Sequence, residues 1–171
     1  TSEDIHVICL FEELDNAMEF DKALQLHRTL IENRTDVFGN QLILDGDDNV
    51  IGTEPYFLSN ATDVSIENVT EFVSKYGGIC YPAHIDRQSN GIISVLGTLP
   101  ETPEFSAVEI NRPEKREEYV KKYSLENKKI IVSSDAHCLT DLRDKENWFE
   151  LDDEPYSSSL VRHNLFKELR K

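Results

Sequence analysis

The chain has little cysteine, and little positive charge. Its three cysteines, Cys9, Cys80 and Cys138, are an odd number with no CxxC spacing. That argues against a disulfide framework and for a reducing, cytoplasmic setting. No apolar run approaches the roughly 20 residues that span a bilayer, so no membrane partner is expected. Lysine and arginine total 18 against 33 aspartates and glutamates, a formal net charge of −15. A cradle for long nucleic acid, or a basic face for anionic lipid, is therefore not expected. A small phosphorylated substrate held through metal ions stays open, because bound cations reverse the local sign of charge. Repeats and low-complexity stretches are absent. The opening Thr1-Ser2-Glu3-Asp4 is acidic rather than basic, so it is not a signal peptide, and it reads as the edge of a longer chain.

What is present suffices for a packed core. Hydrophobic residues make up 39% of 171, within the range of one domain or a piece of one. Ile5 to Phe11 is an apolar run rich in β-formers and predicts a buried strand with one intruder, His6. Phe20, Leu24, His27 and Ile31 make the stripe of a helix over about 16–33. Gln41-Leu42-Ile43-Leu44 and Asn49-Val50-Ile51-Gly52 flank Asp45-Gly46-Asp47-Asp48, which predicts a hairpin excursion over 40–55. Ser65 is the expected N-cap of a helix with Ile66, Val69, Val73 and Tyr76 on its inner face, ended by Gly77-Gly78. Strands are expected at 79–81, 107–110 and 129–132, a helix from Pro113 to about Tyr123, and a basic amphipathic helix over 157–171. The acidic stretch from Asp135 to Pro155 reads as loop with a short strand at Trp148-Phe149. This alternation is that of an α/β fold with parallel strands.

In α/β folds, functional side chains gather where strands end. His84 and Asp86 leave the strand at 79–81; Asp135 and His137 leave the strand at 129–132. In an extended segment Asp135 and His137, two apart, share a side. Imidazole and carboxylate converging there suit zinc, manganese or iron. His6, a polar ring in an apolar strand, needs a partner, and a metal ion would be one. Arg87 and Arg112 each follow a strand end; they could grip phosphate bidentately or form surface ion pairs. His27 reads as a satisfied core histidine, His163 as surface, Cys138 as a small buried thiol with a ligand or redox role beside His137 left open, and Cys9 and Cys80 as core filler.

Four segments together resemble the PHP (polymerase and histidinol phosphatase) domain. Ile79-Cys80-Tyr81-Pro82-Ala83-His84-Ile85-Asp86-Arg87 is similar to its third motif, and Ser133-Ser134-Asp135-Ala136-His137 to its fourth. Asp4-Ile5-His6-Val7-Ile8 is similar to the strand with a second-motif histidine, and Val108-Glu109-Ile110-Asn111 to the strand between the last two motifs. The resemblance implies the C-terminal part of a distorted (βα)₇ barrel with two or three divalent ions at its strand ends. His6 and His84 would bind one ion, Asp135 a second and His137 a third. It also implies hydrolysis of a small phosphomonoester, a nucleotide or a short oligonucleotide, in which ions hold the phosphate and lower the pKa of bound water.

The first motif, a His-x-His on a strand, is absent from residues 1–171. Glu3 is offset by three from His6, faces the other way, and reads as an exposed terminal residue. The expectation is thus a partial PHP-like domain, with about three βα units and the remaining ligands supplied by a missing N-terminal segment or by an oligomeric partner. Two other readings stay open: a non-catalytic PHP-derived assembly module, and an amidohydrolase-like metallohydrolase.

Overall fold

Short apolar runs become short strands because each β-branched or aromatic residue packs on a half-covered pleated surface. The structure is a computed structural model describing residues 1–144, 147–154 and 156–170. Lys145, Glu146 and Pro155 of the expected acidic loop, and Lys171 of the expected tail helix, lie outside the described residues. In chain order the elements are β1 (Val7–Leu10), α1 (Leu14–Gln25), α2 (Thr35–Phe38), β2 (Leu42–Leu44), β3 (Val50–Thr53), α3 (Val69–Ser74), β4 (Ile79–Pro82), α4 (Ile92–Leu96), β5 (Ala107–Ile110), α5 (Arg116–Lys122), β6 (Lys129–Val132) and α6 (Ser158–Leu169). One-turn 3₁₀ segments precede α5 and follow β6.

The chain is mixed α/β with three two-stranded sheets, and no closed barrel forms among the described residues. β5 and β6 pair in parallel, as expected. β1 instead pairs antiparallel with β4, Val7 opposite Pro82 through Leu10 opposite Ile79. β5 lies beside β4, joined where the Ile85 amide donates to the Glu109 carbonyl at 2.8 Å.

Side chains alternate along these strands with period two. Val7, Cys9, Cys80, Val108, Ile110 and Ile130 join Phe20, Val69, Val73, Phe105 and Leu125 in the main core. Ile8, Leu10, Ile79, Tyr81, Ala107 and Ile131 face the other way, against Leu165 and Leu169 of α6. α1 and α3 meet through the rings of Phe20 and Phe72, 5.2 Å apart. Gly77, with φ of +70°, turns the chain out of α3 in a conformation that disfavours other residues.

Several sequence expectations are corrected. Helix α1 ends at Gln25, because the chain then turns outward to bridge Arg28 with Thr62 and Glu32 with Tyr56. Ile31 is consequently exposed, and His27 is a half-exposed residue whose Nδ1 meets Asp63 Oδ1 at 2.6 Å, not a core histidine. His6 lies just before β1 and is exposed in a cleft rather than buried within a strand. Glu3 is half-buried, and its carboxylate accepts the Ile66 amide at 2.9 Å. Helix α3 starts later than expected, at Val69, with Asn68 as N-cap rather than Ser65. No strand forms at Trp148-Phe149, which faces β6 across a cleft rather than pairing with it, and Cys138 is exposed. α4 carried no recognised signal.

The burial predicts where stability resides. Phe105 is 1% exposed and Leu139 86%. In urea unfolding, Phe105→Ala is expected to cost about 3–5 kcal/mol, and Leu139→Ala to stay within about 0.5 kcal/mol of the parent.

Candidate metal centre

Loop 83–91 builds the site by closing on itself at the end of β4. The Ala83 amide donates to the His6 carbonyl at 3.0 Å, and the His6 amide donates to the Asn90 carbonyl at 2.9 Å. Asn90 also donates its side-chain amide to the Asp4 carbonyl at 2.9 Å. Arg87 N–H returns to the His84 carbonyl at 2.9 Å. The loop is so tight that a Cβ on Gly91 would lie 2.5 Å from the Arg87 carbonyl oxygen. Buried Asp86 stands below it; its two oxygens accept the Asn111 and Arg112 amides at 2.8 and 2.9 Å. A buried carboxylate is tolerated when charge-assisted bonds of this kind compensate its lost hydration.

The imidazoles of His6 and His84 meet at the mouth of this loop, with His6 Nδ1 3.2 Å from His84 Nε2 and the rings inclined at 66°. His84 is buried and has a φ of +30°, a strained backbone that aims the ring toward His6. Burial lowers the pKa of both rings below 6.5; His84 further lowers that of His6, and Arg87 that of His84. The lowering favours the neutral imidazole, the form that ligates metal.

Asp135 follows β6 with a φ of +50°, so its segment is not extended as expected. Its carboxylate pairs with Arg87, and its Oδ1 lies 3.6 Å from His137 Nε2. His6, His84 and Asp135 line one cleft of about 350 Å³, walled opposite by residues 58–62. His137 stands outside it, 80% exposed, reached only through Asp135. The Arg112 guanidinium is exposed and has no partner among the described residues. Another cleft, of about 490 Å³ beside β6, contains none of these residues.

Two residues near the site went unassigned in the sequence. Glu109, buried in β5, accepts the His84 amide on Oε1 at 3.1 Å; an acid inside the apolar run Ala-Val-Glu-Ile was its signal. Asn111 donates to the Ser134 carbonyl at 2.7 Å and so ties the loop bearing Asp135 to β5.

Does this donor set suit a divalent ion? With metal–nitrogen bonds of about 2.0–2.1 Å, two adjacent ligand nitrogens lie about 3.0–3.4 Å apart. The 3.2 Å separation of the two imidazole nitrogens fits that edge. The shell is incomplete: among the described residues no three His, Cys, Asp or Glu side chains converge closely enough to hold an ion. The buried His84 Nδ1 also lacks the hydrogen-bond partner that usually orients a ligating histidine. No family model, curated protein or solved structure matches the chain. No helix among the described residues is long and apolar enough to cross a membrane.

The lowered imidazole pKa values carry a pH signature. A histidine with its folded pKa below 6.5 binds protons more readily when unfolded, so stability falls as pH drops through that window. Between pH 7.5 and 5.5 the melting temperature is expected to fall less in the His6→Asn variant than in the parent. Thermal unfolding at both pH values checks this.

Proposed function

We propose that this chain carries part of the metal centre of a PHP-type phosphoesterase acting on a small phosphorylated substrate. One observation carries the reading: His6 Nδ1 and His84 Nε2, remote in sequence, sit 3.2 Å apart at the mouth of a cleft. In this reading they hold one divalent ion, zinc, manganese or iron. Asp135 and His137 hold the others, and the remaining ligands come from outside residues 1–171. Bound ions would polarise the phosphoryl group and acidify a water molecule. The chain's own residues do the rest. His6 Nδ1 and His84 Nε2 share a hydrogen bond, one nitrogen donating and the other accepting, and a bound ion would take the place of that proton. Glu109 and Asp86 fix the backbone from which His84 projects. Arg87, planar and always charged, holds Asp135 toward the cleft and suits a phosphate oxygen at the same place. The substrate class (phosphomonoester, nucleotide or short oligonucleotide) and a cytoplasmic setting belong to this proposal.

A second reading, an assembly module, is favoured by the β2–β3 hairpin, whose Leu42, Ile43, Leu44, Val50 and Ile51 are all exposed.

Elemental analysis and hydrolysis of p-nitrophenyl phosphate by the longest available form of the protein decide between them. Bound divalent metal is expected, with His84→Ala and Asp135→Asn each cutting activity at least about 100-fold. Unchanged metal content and activity in both variants would overturn the enzyme reading.

A further inference from the structure

Cys9 and Cys80 stand directly opposite one another where β1 and β4 run antiparallel. The hydrogen bonds identify the kind of pair. The Ala83 amide bonds the His6 carbonyl, so His6 opposite Ala83 is a hydrogen-bonded position. Such positions alternate along an antiparallel ladder. Val7 opposite Pro82 is then a non-bonded pair, where the missing proline N–H costs nothing. Ile8 opposite Tyr81 is bonded, and Cys9 opposite Cys80 is non-bonded again. In non-bonded pairs the Cα atoms approach to about 4.5 Å, inside the roughly 4.4–6.8 Å that a disulfide spans. Opposed side chains leave the same face, and both cysteines pack into the main core. Cys138 is exposed on the loop after β6 and belongs to no such pair.

We propose that Cys9 and Cys80 are a redox-active cross-strand pair that closes to a disulfide by exchange with a low-molecular-weight disulfide such as oxidised glutathione. One protein thiol loses its proton and attacks a sulfur of the small disulfide, releasing one small thiolate and leaving a mixed disulfide. The second protein thiol, deprotonated in turn, attacks the protein-bound sulfur of that mixed disulfide and expels the second small thiolate. The protons pass to the two released thiolates. Two protein thiols are oxidised, and one small disulfide is reduced to two thiols. Burial pushes Cys9 up to about 11 and Cys80 up to about 12, so closure is slow and starts at the less buried Cys9. In a reducing setting the pair rests as thiols. Closed, it locks the register of the two strands three residues after His6 and four residues before His84. The pair rests on strand register alone and stands whichever ion or substrate the cleft takes.

The full chain carrying Cys138→Ser, which removes the exposed thiol, is incubated with oxidised glutathione, denatured, alkylated and weighed. The expected product has lost two hydrogens, about 2 Da, takes up no alkylating reagent, and yields a linked pair of tryptic peptides ending at Lys22 and Arg87. Its melting temperature rises by several degrees and returns on reduction. The unsubstituted chain gives the same linked pair, and Cys9→Ser abolishes it. Two alkylated cysteines, a stable glutathione adduct, or linkage only between separate chains would each overturn the proposal.

Discussion

The backbone of His6 is engaged on two sides. Its carbonyl takes the Ala83 amide, which extends the β1–β4 ladder one step past β4, and its amide is taken by Asn90 from the far end of the same loop. This seam sets the distance between the two imidazoles, the depth of the cleft and the alignment of the two cysteines. It is antiparallel, so the residue leading into β1 meets the residue leaving β4. One residue of slippage would turn every side chain of β1 to the opposite face. The core prevents that slip, since Val7 and Cys9 belong to one layer and Ile8 and Leu10 to the other.

Buried polar groups hold the loop that the seam begins. Asp86, Glu109 and His84 are all buried. Each acid accepts a backbone amide from a neighbouring segment, so its desolvation is offset and the segments are fixed to one another. Arg87 extends the network outward to Asp135, on a different strand unit. Losing one member would leave another charge partly buried without its counter-group. The result is a polar floor that is rigid in the loop and becomes exposed toward His137.

Much of the strand content was legible in the sequence, because an apolar run of β-branched residues has few other ways to be buried. The β5 and β6 runs, the hairpin at Asp45, and the inner face Ile66, Val69 and Val73 needed only periodicity. The tail helix was legible over about 157–171, while its cap, the Ser157 hydroxyl accepting the Leu160 amide, came from the structure. Element ends were not legible. The stripe through His27 and Ile31 keeps helical spacing, yet bridges to Thr62 and Tyr56 take that backbone out of the helix. Trp148-Phe149 has strand propensity, yet a cleft separates it from β6 and no pairing forms. For the site, residue types at strand ends singled out His84, Asp135 and His137, and a polar ring in an apolar run singled out His6. Which of them share a cleft depended on positive φ angles at His84 and Asp135, and periodicity carries no trace of those.

Taken alone, the sequence determined the chemistry on offer: an acidic chain, four candidate ligands, two arginines, and three cysteines with no spacing to join them. Only the tertiary structure decided proximity. It brought His6 to His84, gave Arg87 to Asp135, left His137 and Arg112 exposed, and set Cys9 across from Cys80. The physical reason is that strand direction and register follow from how whole faces are buried against α3 and α6. That sum over many side chains cannot be read at the site residues themselves.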